Sequence, residues 1–209
     1  MKKVIQIVLA IAIVVLAYFI WESIQTPIRF NKEKDQRYAA TIQRLKDIRT
    51  AQIAYKAEYG EFTADFDTLI NFVKNDSMKL VRAERALSDE LLAQGWTEAI
   101  AVKEGLIIRD TIRIAIKDTL FNREDFNADL MWKVPFTEDD GFEMATAILN
   151  VSNLDVNVFE AKVHNDILLH GLNRQLVVNL NDRMKNQDNY PGVKVGDVIE
   201  TNNNAGNWE

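Results

Sequence analysis

Val4–Trp21, VIQIVLAIAIVVLAYFIW, is an apolar run broken only by Gln6. As a helix it rises about 27 Å at ~1.5 Å per residue, close to the ~30 Å hydrocarbon thickness of a bilayer. It has no polar face, unlike the one-sided stripe of a helix buried on a soluble core. Tyr18 and Trp21 close its distal end, where amphipathic rings favour the headgroup level, and Lys2 and Lys3 precede its proximal end. The expected organisation begins with a transmembrane anchor over residues 1–22, in contact with membrane lipid through residues 4–21. A cleaved signal peptide starts in the same way but needs a small-x-small site after its apolar run. Here the bulky Tyr18, Phe19, Ile20 and Trp21 stand at that place, with Ala17 before them. The sequence therefore points to an uncleaved signal anchor.

For orientation, Lys2, Lys3 and the α-amine weigh against Arg29, Lys32, Lys34 and Arg37 on the other side of the span. The short basic segment ahead of the run suits export of the remainder. The expected localisation is a bacterial inner membrane, crossed once, with the C-terminal part in the periplasm. A reversed anchor is the alternative.

Outward from the anchor, ESIQTPIRFNKEKDQR is polar, and Pro27 is expected to kink or stop a helix, because it lacks an N–H and clashes with the carbonyl four residues earlier. From Asp35 to Tyr59 the pattern is helical again. Tyr38, Ile42, Leu45, Ile48, Ala51, Tyr55 and Tyr59 form one apolar face, with Gln43, Lys46, Asp47, Thr50 and Glu58 opposite. Gly60 stands where a left-handed cap ends a helix. Residues 23–60 are thus read as a juxtamembrane and amphipathic helix, and residues 61–209 as an α+β soluble domain.

Within that domain, Thr63 is a candidate cap for a short helix through Lys74, with Phe66, Leu69, Ile70 and Val73 as its apolar side. Met78 to Arg82 reads as a strand, and helical pieces are expected from Ser88 and over Thr97 to Glu104. Arg109 to Ile116 alternates so that Ile112, Ile114 and Ile116 share one strand face. Leu130 to Val134, Phe142 to Leu149 and Val156 to Val163 are further strands, before a helix from Asn173 to Lys185 carrying Leu176, Val177, Leu180 and Met184. From Tyr190, Pro191-Gly192 and the Asn-rich end predict turns and an exposed tail, on which Trp208 either packs back or stands at random. Helices first and strands later argue for a small antiparallel sheet with short helices rather than a parallel βαβ array.

The totals narrow the function. Charged residues are 27% and apolar residues 47%, so a packed fold is expected rather than disorder. The 25 basic and 31 acidic residues form no dense block, and nucleic acid is not an expected partner. With no cysteine there is no disulfide framework, thiolate nucleophile or Cys-based zinc site. P-loop, dinucleotide, G-x-S-x-G and H-E-x-x-H signatures are all missing.

The remaining chemistry is sparse. His164 and His170 are six residues apart, which does not place them together on a helix face for zinc. Glu138, Asp139 and Asp140, followed by Gly141 and Glu143, offer oxygen ligands for calcium but lack the alternating acidic loop. Asp125 and Asp129 would meet across one helical turn as a carboxylate pair, with no partner base in the pattern. A pocket assembled from distant residues would draw on Arg109, Arg113 and the acidic cluster around Asp139. No catalytic, cofactor-binding or metal residue is assigned, and no cofactor is expected.

The segment RLKDIRTAQIAYKAEYGEF, Arg44 to Phe62, following a membrane-spanning helix and preceding a strand-rich part, resembles the plan of type IV pilins and pseudopilins. Two features differ from that family: no Gly before an aromatic residue precedes the apolar run, and Gln6 stands where those subunits carry a glutamate. The closing YPGVKVGDVIETNNNAGNWE is similar to the end of a family of uncharacterised single-pass bacterial envelope proteins. The resemblance implies a membrane-anchored family and supplies no activity. The anchor, the extended helix and the missing catalytic signatures lead to the expectation of a non-enzymatic component acting in protein assembly or scaffolding, with envelope proteins or further copies of itself as partners. A membrane-tethered ligand-binding domain or enzyme is the alternative.

Overall fold

The computed structural model of the chain describes residues 2–83, 97, 100 and 109–209. Helix α1 (Lys2–Tyr59) runs without a break through Pro27. The expected stop is absent because Pro27 removes one hydrogen bond, at a cost of ~3 kcal/mol, from a helix already nucleated on both sides. At its end Gly60 takes φ +84 and donates its N–H to the Lys56 carbonyl, so the glycine cap lies where the sequence placed it.

The chain divides into two compact units, Met1–Lys46 with Trp132–Glu209, and Asp47–Met131. In the Asp47–Met131 unit, α1 contributes buried Ile48, Ala51 and Ala54, and α2 (Phe66–Asn75) contributes buried Leu69, Phe72 and Val73. The cap of α2 is Asp65 rather than Thr63: the Asp65 carboxylate accepts the N–H of Thr68, while Thr63 Oγ1 accepts the N–H of Asp65. Carboxylate charge beside the first turn makes Asp65 the stronger cap, and its pKa is held below the ordinary value by the Thr68 hydroxyl and N–H. Tyr55, Tyr59 and Phe72 form an aromatic cluster with ring centroids 4.7–5.8 Å apart.

Strands β1 (Ser77–Ala83) and β2 (Arg109–Ala115) make a two-stranded antiparallel sheet, as the alternation predicts. The pattern is cut one residue early, since Ile116 starts α3 (Ile116–Leu120) and is fully buried there. The helix expected from Ser88 lies outside the described residues, as does that from Thr97 to Glu104 apart from Thr97 and Ile100. Leu130 to Val134 is not a strand. It is a 3₁₀ turn, Ala128–Leu130, followed by a loop in which Lys133 bridges Gly141.

In the other unit, β3 (Glu143–Val151), β4 (Leu154–His164) and β5 (Gly192–Gly196) form an antiparallel sheet in that order. Ser152 and Asn153, both at positive φ, make the two-residue β3–β4 turn. Phe159, Ala161, Val163, Val193 and Val195 are buried. Between β4 and β5 come α4 (Asn165–Leu168) and α5 (Arg174–Lys185), the latter capped by Asn173, whose side chain accepts the N–H of Leu176. The segment read as an exposed tail supplies β5 instead, and Gly206 bridges Val195. Trp208 packs against Gly206, with its ring carbons 2.4–2.5 Å from where a Cβ would stand. The fold is therefore α+β, with one long apolar N-terminal helix, small antiparallel sheets and short helices.

Candidate functional site

The most unusual surface belongs to the first turns of α1. Val4 through Trp21 is apolar apart from Gln6, and α1 contains an eighteen-residue window of mean hydropathy 2.7 in which no residue is buried. Exposed apolar area of this extent is unfavourable in water. The helix is long and apolar enough to serve as a single-pass anchor.

Beyond the apolar run, Thr26 Oγ1 donates to Glu22 Oε1 at 2.9 Å, and Arg29 pairs with the same carboxylate. Phe19, Glu22, Thr26 and Pro27 line one side of an open cleft of about 450 Å³, and Asn173, Gln175 and Leu176 line the other. Further along, Arg37 donates to the carbonyls of Leu168 and His170 at 3.0 and 2.9 Å and lies over the Phe136 ring. The Tyr38 hydroxyl donates to Asn165 Oδ1. Burial pushes the Tyr38 pKa up to about 12, against the lowering effect of the Asn165 hydrogen bond and with a further push from Asp35. From Asn165 the polar chain continues through Asn181, 2.9 Å away, to Asp166, 3.1 Å further. These buried amides tie α1 to the sheet and helices of its unit, a role that periodicity does not signal in asparagines.

Asp166, Glu138, Asp140 and His170, with Phe136 and Ile167, line a second cleft of about 480 Å³. Phe136 holds φ +64, unusual for an aromatic residue, with its ring half exposed. The cleft brings part of the acidic run and one histidine together, with Arg174 4.0 Å from Asp166 and Arg37 over the Phe136 ring. Asp139 points elsewhere, pairing with Lys133 at 3.3 Å. His164 caps α4: its Nδ1 accepts the N–H of Asp166 at 3.1 Å. The same nitrogen lies 3.3 Å from Asp166 Oδ2.

Asp125 and Asp129 do not share a helical turn. Asp125 faces Arg123 at 3.6 Å, and Asp129 pairs with Lys74 at 2.7 Å. Arg123 also pairs with Asp47 at 2.8 Å, the more protected of its two partners. Arg113 faces Glu58 at 3.7 Å, and Arg109 opens β2, paired in register with Ala83. Among the described residues, no three His, Asp or Glu side chains come together as a metal site.

A charged group unforeseen in the sequence sits on the sheet. The register puts Glu160, Lys162 and Lys194 on one face, and Asp197 follows β5. Lys194 Nζ lies 2.5 Å from Asp197 and 3.6 Å from Glu160. Burial disfavours both charges, yet the Lys194 hydrogen bond, the N–H of Ile199 and the attraction of Lys194 hold Asp197 below its ordinary value. Conversely, Asp197 and Glu160 raise Lys194. The lowered acid stabilises the fold at neutral pH, and that contribution is lost as pH falls through its folded value, below 3.8. The raised base contributes fully below 10.5, and its share is lost as pH climbs through its folded value above that. Melting curves of the wild type and Asp197→Asn should therefore separate between pH 5 and 9 and converge under strong acid, by linkage of roughly this form. A constant difference across the acid range would contradict the pairing.

No protein-family model, curated protein or solved structure matches this chain.

Proposed function

We propose that the chain is a single-pass membrane-anchored component of a bacterial envelope, non-enzymatic, which presents its α+β part in the periplasm for assembly with other proteins. The observation that carries this reading is the continuity of α1. One helix begins as an uncovered apolar rod and, within the same compact unit, becomes a packed element with buried Phe30 and Leu45. An anchor joined this way runs into the folded part of its own unit without an intervening linker, which suits a membrane-tethered scaffold and a pilin- or pseudopilin-like layout. Lipid would contact residues 4–21.

Gentle detergent extraction of the full chain, followed by affinity purification, tests the assembly role. Stable protein partners or self-association are expected, and a monomer without partners would count against it.

One observation favours the alternative of a membrane-tethered binding domain: the cleft bearing Glu138, Asp140, Asp166 and His170. Its three carboxylate side chains offer acceptors to a cationic organic group. A melting temperature raised by small diamines, and no longer raised in Asp166→Asn, would move the reading in that direction.

A further inference from the structure

The sheet built by β3, β4 and β5 ends on β3, which pairs with β4 alone among the described strands. Nine residues pair in unbroken register from Glu143 opposite Lys162 to Val151 opposite Leu154, with no bulge. β3 contains no proline and no lysine, and Glu143 is its single charge. Open edges are normally blunted by lysine, proline, a bulge or short length, and β3 has none of these. The register sets Ala147, Leu149 and Val151 on one face beside Val158, Val156 and Leu154. Leu154 is 70% exposed, and Ile148, on the opposite face, is 70% exposed as well.

We propose that β3 pairs antiparallel with β3 of a second copy of this chain about a two-fold axis at Ala147, joining two three-stranded sheets into one. This inference rests on the assembly reading above and names its partner. The strand's own residues select a second copy. In that register Ala147 meets Ala147, Thr146 meets Ile148, Ala145 meets Leu149 and Glu143 meets Val151. Small residues fall opposite large ones, and the lone carboxylate of each strand lies opposite an apolar residue. Parallel in-register pairing would instead set Glu143 beside Glu143, a like-charge contact that disfavours it. Two-fold symmetry makes each contact twice, and copies tethered to one bilayer gain effective concentration.

The chain has no cysteine, so Ala147→Cys reports on the axis alone. Antiparallel neighbours lie ~4.5–5.5 Å apart at Cα, within disulfide reach. In native membranes, mild oxidation of full-length Ala147→Cys should give a covalent dimer, and Ile199→Cys, 85% exposed and off the edge, should not. Thr146→Lys combined with Ile148→Lys sets lysine opposite lysine on both sides of the axis. Both residues are exposed, so the dimer should be lost in detergent while the melting curve stays. Equal cross-linking at Ile199→Cys would overturn the pairing, as would a dimer that survives the lysine pair. A wild-type monomer that still carries other proteins would also overturn it, while leaving the assembly reading in place.

Discussion

Gly196→Ala is expected to destabilise the unit containing β5 by about 3 kcal/mol or more, lowering its melting temperature by roughly 6–12 °C. Gly196 holds φ +70, and a Cβ there would stand 2.1 Å from the Phe159 carbonyl oxygen. Neither atom can give way cheaply. The oxygen belongs to the backbone of β4, and the Phe159 ring is fully buried. The Gly196 N–H also donates to the Ala205 carbonyl, so displacing the residue loosens the segment that returns beside β5. Gly60 is the control, because its φ is +84 but no atom lies within 4 Å of an added Cβ. Gly60→Ala should cost only the backbone strain, about 1 kcal/mol. Equal melting of the two variants would contradict the close approach of β5 to β4.

Ile11→Arg combined with Val14→Arg should release the chain from the membrane fraction. Each arginine near the centre of a span costs ~2.5–3.5 kcal/mol on insertion scales, so the pair removes about 5–7 kcal/mol from the anchor. Ile53→Arg provides a comparison, since Ile53 lies on the same helix, is half exposed and sits in its packed part. That substitution should leave membrane association unchanged. A doubly substituted chain that resists alkaline extraction as the wild type does would show that the apolar run is not what holds it.

The apolar run, the Gly60 cap and the helix from Asn173 were legible because each carries a local signal: continuous apolarity, 3.6-residue spacing or a cap residue. The Asp35–Tyr59 stripe was legible in part: Leu45, Ile48 and Ala51 are buried, but Tyr59 is exposed, and Asp47, read on the opposite face, is buried beside Arg123. The Arg109 strand was legible from its alternation, although the shared face of Ile114 and Ile116 was not. Ile114 is only half-buried, and Ile116 turns into α3, so a buried-charge substitution bites hardest at Ile116. β5 was missed because Pro191-Gly192 read as a turn and the segment after it as an exposed tail. Gly196 carried no reading of its own. The purpose of both glycines is tertiary: they let β5 lie against the β4 backbone, which local propensity does not report. Leu130 to Val134 misled in the opposite way, its apolar residues Met131 and Val134 being buried from a turn and loop. The cleft beside Pro27 and the Tyr38–Asn165 hydrogen bond join residues over a hundred positions apart, beyond the reach of any spacing rule.

Protease digestion of intact spheroplasts, compared with lysed cells, tests the anchored and exported arrangement most directly. The folded part beyond α1 should be cut in intact spheroplasts, leaving a membrane-embedded fragment that contains Val4–Trp21. Protection until lysis would contradict export and place the folded part on the cytoplasmic side.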